Sequence, residues 1–197
     1  MSATLPGTDP RQVLLFSGHR VDAPGRTPPR FPDAKAAHAG IAIEQALRAL
    51  GVGPDDLALT QGSSGGDLLF AEAAARLGAQ VRLMQPAPEP RFIEESVRTS
   101  ENGEDWVGRY RALRAQLPTP PQQLPDAAEA AGGSPDDRFE RCNRWLLETA
   151  LGWGPERVRF VCLWDGSPGG EPGGTARMVD EVRRRGLPIT WLDARLL

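Results

Sequence analysis

Residues 57–67 read LALTQGSSGGD, a short and largely apolar run that leads into a polar, glycine-rich loop. A helical stretch follows at 68–77 and stops at Gly78, and residues 80–84 predict another strand. A brief apolar run bounded by turn residues is typical of a buried strand. The segment therefore predicts a strand–helix–strand unit, which is the building block of a parallel sheet.

The same alternation continues on both sides of this unit. Further strands are predicted at 13–16, 158–163 and 188–192, and helices at 34–50 (with Asp33 as its N-cap), 92–98, 106–117, 138–151 and 175–185. The Pro-, Gln-, Ala- and Gly-rich stretch 118–137 predicts a surface crossover loop, and 1–11 a flexible leader. The chain is thus predicted to be one α/β domain over 1–197, a Rossmann-like three-layer sandwich with a mostly parallel central sheet and helices on both faces.

Composition and charge narrow the partners that we expect. The formal net charge is −3 and the pI is about 5.5, so no global basic field is present and we expect no nucleic-acid partner. The sequence shows no signal-like leader and no apolar run near the ~18 residues of a membrane span, so we expect no membrane association and a cytoplasmic location. The two cysteines show no CxxC pattern and no nearby histidine pair, so no metal site and no cofactor are expected.

The loop at 62–67 carries the clearest chemistry in the sequence. In parallel sheets, ligands bind beyond the carboxyl ends of the strands, and the start of the following helix attracts anions. Glycines would let the backbone approach a ligand, serines would donate hydroxyls, and the aspartate could cap the helix or accept from a ribose hydroxyl. These residues are Gly62, Ser63, Ser64, Gly65, Gly66 and Asp67. The alternative is a tight turn that simply needs small residues, and neither GxGxxG nor the P-loop lysine is present.

Two further loops are expected at the same edge of the sheet. The loop after the first strand offers Gly18, His19 and Arg20, with Arg26 and Arg30 as either a guanidinium clamp or ordinary solvated arginines. The loop after the strand at 158–163, together with the helix that precedes this strand, offers the candidate ligand-binding residues Asn143, Asp165, Gly173, Gly174 and Thr175. The three loops together predict a site for a phosphate-bearing small molecule.

The segments FSGHR at 16–20 and TQGSSGGD at 60–67 resemble the SLOG superfamily. That group includes the LOG-type (lysine decarboxylase-like) nucleotide phosphoribohydrolases and the fold of the DNA-processing protein. The resemblance implies binding of a nucleotide or nucleotide-derived signal across these loops. Aligned with the phosphoribohydrolase motif PGGxGTxxE, this chain has Gly66 in place of the threonine and Leu69 in place of the catalytic glutamate.

Three functional hypotheses follow. The first is a module that binds or senses a nucleotide-derived small molecule in signalling, with its output passed to a partner protein, and with a homodimer as a further possibility. The second is a nucleotide N-glycosidase of the phosphoribohydrolase type that uses Asp67 or Glu72 with His19. The third is a scaffold domain whose loops hold no ligand.

Overall fold

The computed structural model describes residues 9–125, 135–168 and 174–197, with the side chains of 135–137 left aside. The strands are β1 (Val13–Gly18), β2 (Leu57–Thr60), β3 (Gln80–Gln85), β4 (Gln122–Gln123), β5 (Val158–Trp164) and β6 (Ile189–Asp193). The α-helices are α1 (Ala36–Ala49), α2 (Gly66–Arg76), α3 (Glu89–Phe92), α4 (Gly103–Gln116), α5 (Pro135–Leu151) and α6 (Thr175–Arg184). A π-helix at Ile93–Val97 continues α3, and short 3₁₀ turns lie at Asp33–Lys35 and Pro155–Arg157.

The six strands form one parallel sheet in the order β4-β3-β2-β1-β5-β6. Strand β1 lies at its centre, where Val13 pairs with Leu57 of β2 on one side and with Val158 of β5 on the other. From β1 the chain adds strands outward to β4 and then returns to add β5 and β6 beyond the opposite edge of β1. The strand order therefore reverses between β1 and β5, where open sheets of this kind leave a crevice.

Helices cover both faces of the sheet, as the sequence predicts. On one face α1, α2 and α4 pack against alternate strand residues that include Leu14, and on the other α5 and α6 pack against the set that includes Val13. Because β1 is buried on both faces, its run of consecutive apolar residues needs no polar alternation. The Rossmann-like three-layer α/β sandwich is confirmed.

Three local predictions are corrected by the structure. Asp33 does not cap α1: it begins a 3₁₀ turn, its Oδ1 accepts a hydrogen bond from Trp106 Nε1 at 2.6 Å, and α1 starts later, at Ala36. The helix predicted at 92–98 is largely a π-helix. Within the predicted crossover 118–137, residues 122–123 form the edge strand β4. This strand could not be predicted, because two glutamines among prolines show no strand pattern. The rest of that stretch at 126–134, like the leader at 1–8, lies outside the described residues.

Among the described helices, none combines the length and the apolar character that crossing a bilayer requires.

A buried carboxylate ties together the amino ends of β1 and β2. Asp56 is 1% exposed and accepts hydrogen bonds from Arg11 Nη2 at 2.7 Å, from Gln12 Nε2 at 3.0 Å and from the backbone amide of Gly53 at 2.8 Å. Hydrogen bonds to a charged acceptor are worth more than neutral ones, and their loss leaves buried donors without partners. Asp56 therefore fixes how the two strands enter the sheet.

We expect Asp56→Ala to lower the free energy of unfolding by roughly 3 kcal/mol, because Arg11, Gln12 and Gly53 lose their common acceptor. The matched control is Asp55→Ala, which removes the exposed neighbouring carboxylate and is expected to change stability by less than about 0.5 kcal/mol. Urea unfolding of the two variants measures both values. Equal losses for the two would show that Asp56 does not hold the strands together.

Candidate functional site

A cleft of about 760 Å³ opens at the carboxyl ends of β1, β2 and β5. Its walls come from the loop after β1 (19–32, loop 1), the loop after β2 (61–65, loop 2), the described residues after β5 (165–168 and 174, loop 3), and parts of α5, α6 and the π-helix. The structure brings together in this cleft nine residues proposed from the sequence. They are Gly18, His19, Arg20, Ser63, Asp67, Asn143, Asp165, Gly174 and Thr175.

The glycines of loop 2 serve packing instead of lining the cleft. Gly65 has a φ of +88°, and a Cβ there would lie 2.7 Å from the carbonyl oxygen of His19. The amide of Gly66, the first residue of α2, donates to that same oxygen at 3.0 Å. The expectation that this amide contacts a ligand is therefore corrected, because the amide is already bonded to loop 1.

Two other residues of loop 2 are likewise used inside the protein. Gly62 has a φ of +86°, and a Cβ there would lie 3.0 Å from the side chain of Leu83. The buried Ser64 donates its amide to the carbonyl of Ser96 at 2.9 Å. Gly173, expected at the site, lies outside the described residues. From loop 2, then, Gln61 and Ser63 face the cleft, as does Asp67 in the first turn of α2.

Asp67 is a buried carboxyl group in the cleft wall. It is 6% exposed, and burial raises its pKa to about 6, although a hydrogen bond from Ser63 Oγ to Oδ2 at 3.0 Å opposes the rise. A carboxyl group with this pKa exchanges its proton near neutral pH. Asp67 is the described residue of the cleft best suited to either acid–base work or hydroxyl recognition.

His19 and Asp165 form a pair across the boundary between β1 and β5. The imidazole Nε2 of His19 accepts the backbone amide of Asp165 at 3.0 Å, and Asp165 Oδ1 lies 3.2 Å away. Burial and the nearby charge of Arg30 lower the pKa of His19 to about 4. Burial opposes ionisation of Asp165, but hydrogen bonds from Ser167 lower its pKa to about 2. At neutral pH His19 is therefore uncharged with its lone pair engaged, which does not suit a general base.

The β5 side of the cleft gathers groups that attract anions. The first turn of the ten-residue helix α6 faces it through Gly174, Thr175 and Ala176, and Ser17 Oγ donates to Thr175 Oγ1 at 3.2 Å. Arg30 also lines the cleft, and its buried Nε finds no hydrogen-bond partner within the described residues. A helix N-terminus and a guanidinium group both favour a negatively charged ligand.

Glu72, the second carboxylate considered for catalysis, lies away from the cleft. It sits on the side of α2 that faces α4, where Arg109 Nε donates to its Oε1 at 2.9 Å. Glu72 follows Asp67 by five residues, about 1.4 helical turns, so its side chain points roughly 140° away from that of Asp67 around the axis of α2. The expectation that Glu72 acts in catalysis is therefore corrected, because its carboxylate lies outside the cleft. The described residues also contain no group of three or more side chains placed to hold a metal ion.

Sequence reasoning missed several residues of the cleft. Ser96 reaches it from the π-helix, Phe139 from α5, and Trp164 from the end of β5. Trp164 and Phe139 are indistinguishable in the sequence from core aromatics. Ser96 gives no signal because a π-helix follows no simple hydrophobic period.

The fold and the cleft define a Rossmann-like α/β protein with a polar site at the switch point of its sheet. No protein-family model matches the chain, and no curated protein is significantly similar to it. Among solved structures, DNA processing protein A from Helicobacter pylori aligns with 95% of this chain and 79% of its own, at a TM-score of 0.36 and 9% identity. That structure is described for its single-stranded DNA binding mode. Likeness at this level assigns neither a family nor a function.

The expectation that the chain has no nucleic-acid partner is corrected, because the net charge on which it rests does not describe the cleft. That expectation relied on the formal net charge of −3, which sums over the whole surface. Local potential decides polyanion binding, and the lining of this cleft includes Arg20, Arg26 and Arg30. Net charge therefore does not exclude a nucleic acid here.

We expect Gly65→Ala to destabilise the protein by roughly 3 kcal/mol, because the new methyl group would meet the backbone of loop 1 at a φ that only glycine adopts easily. Gly51→Ala is the control: its φ of +65° is also positive, but nothing lies within 4 Å of a Cβ there, so about 1 kcal/mol is expected. Urea unfolding compares the two. Similar losses would mean that loops 1 and 2 separate readily.

His19 and Asp67 are expected to give opposite pH dependences of stability. The pKa of His19 falls from 6.5 to about 4 on folding, so the unfolded chain binds the extra proton and stability drops as the pH falls through this window. The pKa of Asp67 rises from 3.8 to about 6, so the folded state binds the extra proton and stability grows on acidification. Each effect amounts to about 3 kcal/mol at most, and in the wild type they largely cancel.

Urea unfolding at pH 7, 6, 5 and 4 checks this balance. Asp67→Asn is expected to lose stability more steeply than the wild type on acidification, and His19→Gln to lose less or to gain. The pKa of Asp165, at about 2, places its own contribution below this range, since its stabilisation is lost only as the pH falls below 3.8. Parallel curves for the three proteins would contradict the assignment.

Proposed function

We propose that the cleft binds a phosphate-bearing, nucleotide-derived small molecule and that the protein is a binding or sensing module. The observation that carries this proposal is the meeting of Arg30 and the N-terminus of α6 in one cleft at the switch point of the sheet. The two features come from opposite ends of the chain and converge on the same volume, and both attract an anion.

The anion subsite is built from donors on two sides. At the start of α6 the backbone amides and the helix dipole face the cleft, with the hydroxyls of Ser17 and Thr175 beside them. Arg30 adds a guanidinium group whose buried Nε has no partner among the described residues, a costly state that a ligand oxygen would relieve. A phosphate is the anion that best uses both amide and guanidinium donors.

The rest of the cleft suits the remainder of a nucleotide. Its volume of about 760 Å³ lies within the usual range for small-molecule sites. Phe139 and Trp164 line it with aromatic surface, which supports stacking of a base. Asn143 stands beside them, with its Oδ1 accepting from Gln61 Nε2 at 2.7 Å, so its amide group is held in a fixed orientation.

A sensing output follows from where the ligand would sit. It would bridge loop 1 and the start of α6, two segments on opposite sides of the reversal in strand order. Occupancy would fix their relative position, and a partner protein could read that position. The single-domain organisation and the role in signalling are part of this proposal.

A second candidate is a nucleotide N-glycosidase that uses Asp67. It is favoured by one observation, the buried carboxyl group with a pKa near 6 inside the cleft. Against it stand Leu69 at the position of the family glutamate, the distant Glu72 and the engaged lone pair of His19. Release of free base from AMP or NAD, abolished in Asp67→Asn, would establish turnover and refute a pure sensor.

We expect Arg30→Ala to weaken binding of phosphate-bearing ligands by roughly 10- to 100-fold, because a charge-assisted contact is lost. Arg48→Ala is the control, since Arg48 pairs with Glu44 on α1, away from the cleft. The measurement is a thermal-shift screen with AMP, ATP, NAD, ADP-ribose and cyclic nucleotides, followed by calorimetric titration of the variants. A ligand at 100 times its Kd adds about 2.7 kcal/mol, which raises the Tm by several degrees.

The alternatives give different results in the same assay. A ligand that shifts the wild type but binds Arg30→Ala and Arg48→Ala equally would remove Arg30 from the anion subsite. A short single-stranded oligonucleotide in the panel that binds while every mononucleotide fails would overturn the small-molecule proposal. No thermal shift with any compound of the panel would support the hypothesis of a scaffold domain.

A further inference from the structure

Ser96 carries a buried hydroxyl in the cleft wall to which the described part of the chain offers no hydrogen-bond partner. It lies in the π-helix Ile93–Val97, is 0% exposed and lines the cleft. Its Oγ finds no hydrogen-bond partner within the described residues. Because an unsatisfied buried hydroxyl is costly, its position at the cleft is informative about what the cleft holds.

The backbone of this π-helix is fixed to the loops around it. The carbonyl of Ser96 accepts the amide of Ser64 at 2.9 Å, and the carbonyl of Glu95 accepts from Arg20 Nη1 at 3.1 Å. Ser96 therefore stands beside loop 2, whose Ser63 is bonded to Asp67. We call Ser63, Asp67 and Ser96 the Asp67 corner.

The donors and acceptors of the Asp67 corner match a neutral group that both gives and takes hydrogen bonds. The Asp67 carboxylate accepts, the Ser96 hydroxyl does either, and the neighbouring Arg20 guanidinium, whose charge opposes the rise in the pKa of Asp67 that burial causes, donates. A phosphate here would meet the carboxylate, and an ammonium group would meet the guanidinium. Hydroxyls avoid both conflicts.

The corner also lies at a suitable distance from the anion subsite. Asp67 follows β2, whereas α6 follows β5, and β1 separates the two strands. Adjacent strands are about 4.8 Å apart, so β2 and β5, whose carboxyl ends lead to the two subsites, lie about 10 Å apart. A sugar carrying a phosphate, with its hydroxyls turned away from that phosphate, spans such a gap.

We propose that the Asp67 corner binds the ribose hydroxyls of the ligand, so that the cleft selects ribonucleotides over 2′-deoxyribonucleotides. This inference rests on the proposed function, because it places the sugar of the same nucleotide whose phosphate meets Arg30 and α6. Ser96 is its specific binding residue, contributed by the π-helix.

The test uses the four nucleoside 5′-monophosphates, each as the ribo and the 2′-deoxy form, in calorimetric titrations of the full chain. We expect the wild type to prefer the ribo form of whichever nucleotide binds by roughly threefold to tenfold. Ser96→Ala should lose most of this preference while its affinity for the deoxy form stays unchanged. Its Tm without ligand should not fall, since the hydroxyl makes no bond within the described protein.

Ser100→Ala is the matched control. Ser100 is also buried, and its Oγ also lacks a partner within the described residues, but it does not line the cleft. It should keep the wild-type preference. Equal binding of ribo and deoxy forms by the wild type, or an unchanged preference in Ser96→Ala, would overturn the sugar assignment and leave the anion site standing. Failure of every monophosphate to bind would overturn this inference, and the proposed function would fall with it if every compound of the thermal-shift panel also failed to bind.

Discussion

The hydrogen bond from the amide of Gly66 to the carbonyl of His19 holds loops 1 and 2 against each other. It requires a glycine at position 65, where any side chain would meet the backbone of loop 1. Once the loops are joined, His19 faces the β5 side of the cleft and Asp67 faces the β2 side. The polar geometry of the cleft therefore depends on a backbone contact that no ligand touches.

The two sides of the cleft differ in their electrostatics. Towards β5, Arg30 offsets the charge of the anionic Asp165 beside an uncharged His19, and the backbone amides and dipole at the start of α6 add an attraction for negative charge. Towards β2, Arg20 and Asp67 offset each other, so a neutral hydrogen-bonding group is preferred. This asymmetry would orient the proposed ligand, which is charged at one end and hydroxylated at the other.

The layout of strands and helices could be predicted from the sequence because β1, β2, β3 and β5 are short apolar runs ending at glycine or polar loops. The role of Gly65 and Gly66 in joining the loops could not be predicted, because glycines at these positions suit a ligand contact and a contact between loops equally well. The place of Ser96 in the cleft could not be predicted either, for a different reason. It reaches the cleft through a π-helix about thirty residues beyond loop 2, and local sequence patterns do not report which distant segments meet.

The cleft draws its walls from nearly the whole length of the chain. Ser17 at the end of β1 bonds Thr175 at the start of α6, and Gly18 pairs with Leu163 in the centre of the sheet. Contacts between residues so far apart in the chain form late and slowly during folding. During synthesis, the growing polypeptide cannot assemble this cleft until α6 has left the ribosome, so binding of the proposed ligand would require a completed fold.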